Sequence, residues 1–130
     1  MRIQDDDLVA RAERIVLEIK PQLVKEKDTA SSGRTQASKA IEVFQATGSL
    51  KVFLNWLRYQ MSREEFWRVT AANNKPLAQR IAEEVQNISK GAQNNEEATK
   101  AVLRFLGYFR RALVALDYLD RIPPVIMEVK

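Results

Sequence analysis

The stretch "SLKVFLNWLRYQMSREEFW", residues 49–67, decides how this chain is read. It interleaves Phe53, Trp56, Tyr59, Phe66 and Trp67 with Lys51, Arg58 and Arg63, and Arg68 follows directly. On a helical wheel, Leu50, Phe53, Leu54, Leu57 and Met61 fall within an arc of about 100°, a complete core-facing stripe. Lys51, Asn55, Arg58 and Ser62 form a polar stripe beside it, and Val52, Trp56, Tyr59 and Arg63 lie on the far side from Arg58. The helix is therefore either buried on two sides or lined by outward aromatics. In a small bundle, two-sided burial is the commoner outcome.

The flanking signals set its ends. Gly48 is a stop and Ser49 an N-cap, and "SREE" at 62–65 has capping-box spacing, so the helix is expected to end and restart there. Upstream, Ala37, Ala40, Ile41 and Phe44 predict a helix from about Thr35 to Ala46, preceded by a loop over "KDTASSGRT". A first helix starts in Asp5–Asp7, where acidic residues suit the positive end of the helix dipole. It carries Leu8, Ala12, Ile15, Ile19 and Leu23 on one face, and Pro21 should kink it or end its regular part. Downstream, Pro76 opens a helix with the stripe Leu77, Ile81, Val85 and Ile88, closed by Gly91. The last helix starts near Asn95 and runs to about Asp120, before Pro123 and Pro124. No stretch has the period-2 alternation of a strand. The expectation is an all-α fold, a compact bundle of five to six helices with short loops, in one domain over residues 1–130.

Composition narrows the function. The chain has no histidine, hence neither the commonest general base nor the commonest metal ligand, and no cysteine, hence no thiol nucleophile or disulfide. Zinc sites built from those residues are excluded. "SSGRT" lacks the pattern of a phosphate loop, and Asp5–Asp7 reads as helix-capping charge rather than a cation site. Adjacent carboxylates in "REE" and "AEE" have no partner spaced for acid–base work. An enzyme and a cofactor are therefore not expected. The N-terminus has no signal-peptide core and no apolar run reaches the roughly 18 residues that span a bilayer, so a cytoplasmic location is expected.

The net charge of +4 is concentrated. Residues 34–68 hold six Lys/Arg against three Glu, and residues 100–121 hold five against two Asp. These are also the most aromatic segments, a distribution that suits a polyanion. The last helix should be central, because Val102, Phe105, Tyr108, Phe109, Ala112, Leu113, Leu116 and Leu119 cover more than a third of its wheel. The remaining strip holds Lys100, Arg104, Arg111 and Tyr118, with 104 and 111 about 10.5 Å apart along the axis. Such an array follows a sugar-phosphate backbone without reading bases. A helix-turn-helix reading is weak, since the helix after Gly48 is too apolar to enter a groove.

Two segments together carry a family resemblance. "FLNWLRYQMSR", with Arg58, Tyr59, Gln60 and Arg63, precedes "FLGYFRRALVALDYL", with Phe105, Tyr108, Ala112, Val114, Ala115 and then Tyr118 or Leu119. Upstream, "SSGRTQASKAIEVFQA" supplies Ser31 or Ser32 and Arg34. This pattern resembles the small helical subunit of type III CRISPR effector complexes (the Csm/Cmr small-subunit family) over roughly residues 30–120. The first thirty residues, the "VIMEVK" tail, Trp56 and Trp67 lie outside the pattern.

The resemblance implies a non-catalytic subunit that stacks along the effector filament and touches the guide RNA–target RNA backbone without sequence readout. Its partners would be guide RNA, target RNA, the other subunits of the complex, and further copies through weak head-to-tail association. The expected phosphate contacts are Arg34, Lys39, Arg58, Arg63, Arg104 and Arg111. The alternative is a helical protein-interaction module without a nucleic-acid role, in which Trp56, Tyr59 and Trp67 form the partner-binding patch.

Overall fold

A computed structural model describes residues 4–122. Among these residues there are five α-helices: α1 (Asp5–Leu23), α2 (Lys27–Thr47), α3 (Leu50–Arg63), α4 (Leu77–Lys90) and α5 (Asn95–Val114). Short 3₁₀ turns occupy Glu65–Arg68, Ala72–Asn74 and Leu116–Tyr118. Extended pairing among the described residues is limited to an isolated bridge between Thr70 and Pro76. The all-α bundle expected from the periodicity is what forms.

The central element is α5, which packs against α1, α2 and α4. Its start is fixed reciprocally: the Asn94 side chain accepts from the Glu97 amide at 2.8 Å, and Glu97 accepts from the Gln93 amide at 2.6 Å. It buries Val102, Phe105, Leu106, Phe109, Ala112 and Leu113. Regular helix stops at Val114 rather than near Asp120, and the 3₁₀ turn carries Leu116 and Leu119 inward instead. The predicted stripes of α1 and α4 are buried throughout. Gly48, at φ 63°, closes α2 in the left-handed region, and the Ser49 hydroxyl accepts from the Val52 amide at 3.2 Å to open α3.

The expected loop over "KDTASSGRT" is not present. The segment is the N-terminal part of α2, and Thr29, Gly33, Gln36, Ala37, Ala40 and Phe44 form the buried face of that helix. Ser, Thr and Gly are poor helix formers one by one, so local propensity points to a loop. Packing overrides it, because small residues let α2 lie close to its neighbours. Gly33 is the tightest point: a Cβ there would overlap the Phe66 ring.

The opening stretch resolves into core and edge. Phe53, Leu57 and Gln60 are buried, and Leu50, Leu54 and Met61 sit half-buried at the rim. Beyond Arg63 the 3₁₀ turn drives Phe66 and Trp67 into the core. Edge-to-face contacts join Phe44 to Phe53 (5.7 Å), Trp56 to Trp67 (5.8 Å) and Phe66 to Trp67 (5.0 Å). Trp67 is 0% exposed, and its indole N–H donates to Gln36 Oε1 at 2.8 Å. The expectation that Trp67 belongs to a partner-binding patch is therefore overturned: its ring and its one polar atom are both used inside the bundle. Trp56 leans half-buried against it, whereas Tyr59 is 55% exposed.

On the opposite side, α1 and α4 are joined by charge. Arg80 forms a fork on Glu18 (Nε to Oε1 3.1 Å, Nη2 to Oε2 3.2 Å) and also donates to Glu84 at 2.6 Å. Arg11 donates to Asp7 at 2.7 Å and to the other oxygen of Glu84. Glu84 is only 6% exposed, so these arginines neutralise a nearly buried carboxylate. Desolvation alone would lower the pKa of Arg11 and Arg80, but the carboxylate hydrogen bonds outweigh it and both are raised. Glu18 also accepts from the Ala72 amide, and the Gln22 amide both donates to and accepts from Thr70, pinning the 69–76 connection onto α1.

Candidate nucleic-acid interface

With α2 helical from Lys27, a second face of it becomes periodic. Ser31, Arg34, Thr35 and Ser38 recur at i, i+3, i+4 and i+7, so they share one strip. Arg110 and Val114 of α5 stand across from them, and together these six residues line an open cleft of about 500 Å³. Arg110 Nε donates to Ser38 Oγ at 2.6 Å, which orients the guanidinium and leaves both of its Nη groups unused. Arg34 is exposed and has no hydrogen-bond or ion-pair partner among the described residues. The cleft continues toward Leu23, Val24, Lys27, Ala30, Leu113 and Asp117 through a cavity of about 300 Å³, with Arg34 and Val114 shared between the two parts.

The outward strip of α5 adjoins this cleft, since Arg111 lies one turn from Val114. Arg111 sits over the Tyr108 ring, 5.6 Å from its centroid. Arg104 approaches Asp5 at 3.9 Å and Lys100 approaches Glu96 at 3.4 Å, both as exposed pairs. Such pairs contribute about 0–1 kcal/mol and open readily for a competing anion. Arg34 and Arg110 thus line the α2–α5 cleft and Arg111 adjoins it, whereas Arg104 reaches toward Asp5 of α1 and Lys100 toward Glu96 on its own helix. They point at solvent, unlike the engaged arginines of the α1–α4 seam.

The six expected phosphate contacts do not gather in one place. Arg34 joins the cleft, and Arg104 and Arg111 join the adjoining strip. Lys39 stands about 140° around α2 from Arg34, five residues on. Arg58 borders a different groove of about 220 Å³, between Leu54, Leu57 and Met61 of α3 and Ala78 and Ala82 of α4. Arg63 is held on its own helix, donating to the Tyr59 hydroxyl at 2.5 Å with its guanidinium 5.3 Å from that ring's centroid. Of the expected interface aromatics, Tyr59 and the edge of Trp56 reach the surface beside Val52, and Trp67 does not.

Sequence reasoning missed Arg110 as a site residue and the hydroxyls that flank it. The signal was present in the spacing of Ser31, Arg34, Thr35 and Ser38, but it shows only once that segment is read as helix. It also missed the Arg11–Glu84–Arg80–Glu18 network, whose cross-helix pairs are 62 and 73 residues apart in sequence. Among the described residues no buried side-chain polar atom lacks a hydrogen-bond partner. No helix among them is long and apolar enough to cross a membrane. Compared with family models, curated proteins and solved structures, the chain matches none.

Proposed function

We propose that this chain is a non-catalytic, RNA-facing structural subunit of a type III CRISPR ribonucleoprotein, gripping the RNA backbone through α2 and α5. The observation that carries the reading is the convergence of Arg34 and Arg110 on one hydroxyl-lined cleft, continued by Arg104 and Arg111, while Arg11 and Arg80 are consumed by carboxylates. A guanidinium fork pairs two phosphate oxygens, and unpaired arginines beside serine and threonine hydroxyls supply backbone contacts that carry no sequence information. The spacing of Arg104 and Arg111, about 10.5 Å along the axis, suits successive contacts along a strand. The resemblance of residues 30–120 supplies the type of complex. Lys39, Arg58 and Arg63, which face elsewhere, are assigned to neighbouring subunits or to solvent.

A second reading, a protein-interaction module without RNA, draws on one observation: Val52 (44% exposed), Tyr59 (55% exposed) and half-buried Trp56 form an apolar stripe on α3. The two readings are separated by binding of the purified chain to single-stranded and duplex RNA between about 50 and 200 mM salt. Four phosphate contacts predict a logarithmic slope near −3 on a single strand. Sequence-independent binding with such a slope supports the subunit reading. Absence of binding at the low-salt end contradicts it and leaves the α3 stripe as the functional surface.

A further inference from the structure

The groove between α3 and α4 differs in chemistry from the α2–α5 cleft. Ala78 and Ala82, one turn apart on α4, are small enough to leave a dip, which Leu54, Leu57 and Met61 of α3 wall on the other side. Leu57 and Ala78 close into the core at 2% exposure, whereas Leu54, Met61 and Ala82 stay half-buried and offer aliphatic surface to the opening. The lining holds no aromatic ring and no hydroxyl, and its one charged side chain is Arg58.

The charge around this groove is one-sided. Arg58 is exposed and has no hydrogen-bond or ion-pair partner among the described residues. Lys51 stands two turns earlier on the same edge of α3, about 10.5 Å away along the axis, and is likewise exposed and unpaired. Residues 50–63 contain no Asp or Glu at all. The α4 rim is formed by uncharged Gln79 and Gln86. Glu83, a step further round α4, is engaged by Lys75 at 2.8 Å and by Gln79 at 3.2 Å.

We infer that the α3–α4 groove docks an acidic amphipathic helix of a protein partner, its aliphatic side chains over Ala78 and Ala82 and its carboxylates at Lys51 and Arg58. Charge complementarity selects the acid: a basic segment would meet two unanswered cations and no carboxylate. Size selects a side chain over a free small molecule, because about 220 Å³ is below the roughly 300–1,000 Å³ of small-ligand sites. An RNA strand is disfavoured, since the groove has no ring on which a base could stack and one lining cation for its phosphates. A helix laid in an apolar groove presents residues seven apart on one edge, the spacing of Lys51 and Arg58. None of the cleft residues takes part, so this inference stands apart from the RNA reading.

The test titrates two synthetic helical peptides of about 15 residues into the whole chain, alike in their leucine stripe but flanked by glutamate in one and lysine in the other. At low salt the glutamate peptide is expected to bind about fivefold to tenfold more tightly, with the difference shrinking as salt screens the rim. Arg58→Glu should abolish the preference. Ala82→Leu, which raises the floor without changing charge, should weaken both peptides, and thermal melting of each variant checks the fold. RNA binding is the control: Arg58→Gln should leave its salt slope unchanged, and a chain that takes the peptide but no RNA strikes the RNA reading alone. The inference is overturned if the lysine peptide binds as well as the glutamate peptide, or if neither variant alters peptide binding. It is equally overturned if Arg58→Gln lowers the RNA slope as Arg34→Gln does, which gives the groove to RNA. Self-association that Arg58→Glu abolishes would give it to a second copy of this chain instead.

Discussion

Arg80 of the α1–α4 seam and Arg34 of the α2–α5 cleft are the same residue type on helices of one small bundle, and their surroundings give them opposite tasks. Arg80 is forked onto Glu18 and bonded to Glu84, two carboxylates whose side chains are 16% and 8% exposed. Arg34 shares its cleft with hydroxyls, Arg110, aliphatic side chains, Lys27 and Asp117, and is paired with none of them. A cation whose charge is answered within the fold contributes to stability and has little left for a ligand. A cation left unanswered contributes little to stability and remains available. Net charge cannot make this distinction, because it counts both kinds equally.

The largest effect that would break the comparison is on the seam. Arg80→Met leaves Glu18 and Glu84 without their shared partner and should cost roughly 2–4 kcal/mol, read as a lower denaturant midpoint, with RNA affinity unchanged. A neutral outcome would mean that the seam is as dispensable as a surface pair. Next comes the close packing of α2 on the 3₁₀ turn that carries Phe66. Gly33→Ala gains helix propensity but drives a methyl into Phe66, and overpacking should win by about 1–2 kcal/mol. A gain in stability would show that α2 can move away from the 3₁₀ turn freely.

Arg110→Gln should act on binding rather than folding. Stability should change by no more than about 0.5 kcal/mol, while RNA affinity at low salt falls about fivefold, the loss of one charge-assisted contact. A loss of stability without a loss of affinity would move Arg110 into the structural class. The smallest effect belongs to Lys75 and Glu83, 2.8 Å apart on the surface. The hydrogen bond from Lys75, helped by Gln79, holds the Glu83 carboxyl below its ordinary value. Its contribution is therefore present above the ordinary carboxylate pKa and lost as pH falls through the lowered folded value. Because the pair is exposed, Glu83→Gln should cost only a few tenths of a kcal/mol near neutrality and nothing in strong acid.

What the sequence made legible follows residue size. The stripes of α1 and α4 consist of large aliphatics at helical spacing, and they are buried as the wheel places them. The start of α2's buried face is Thr29 and Gly33, residues too small to register as a stripe, so the segment before Thr35 reads as loop, whereas Ala37, Ala40 and Phe44 beyond it read as helix. The two tryptophans separate for a related reason. Trp56 can be put on a wheel, but Trp67 lies in a 3₁₀ turn with no such periodicity, and its partner Gln36 is 31 residues away. Basic segments were visible as charge blocks. Which arginines are spoken for depends on contacts between distant helices, so Arg110 was counted but not singled out.

The central claim is that the arginines in and beside the α2–α5 cleft, Arg34 foremost, and not cations engaged elsewhere on the surface, meet the phosphates. The most direct measurement is the salt dependence of single-stranded RNA binding for Arg34→Gln beside Lys75→Gln, two variants that each remove one positive charge. Arg34→Gln should reduce the magnitude of the logarithmic slope by about 0.7, the value for one contact on a single strand, and Lys75→Gln should leave it unchanged. Equal slopes for the two variants would contradict the account, because binding would then follow net charge alone and the cleft would have no special part in it.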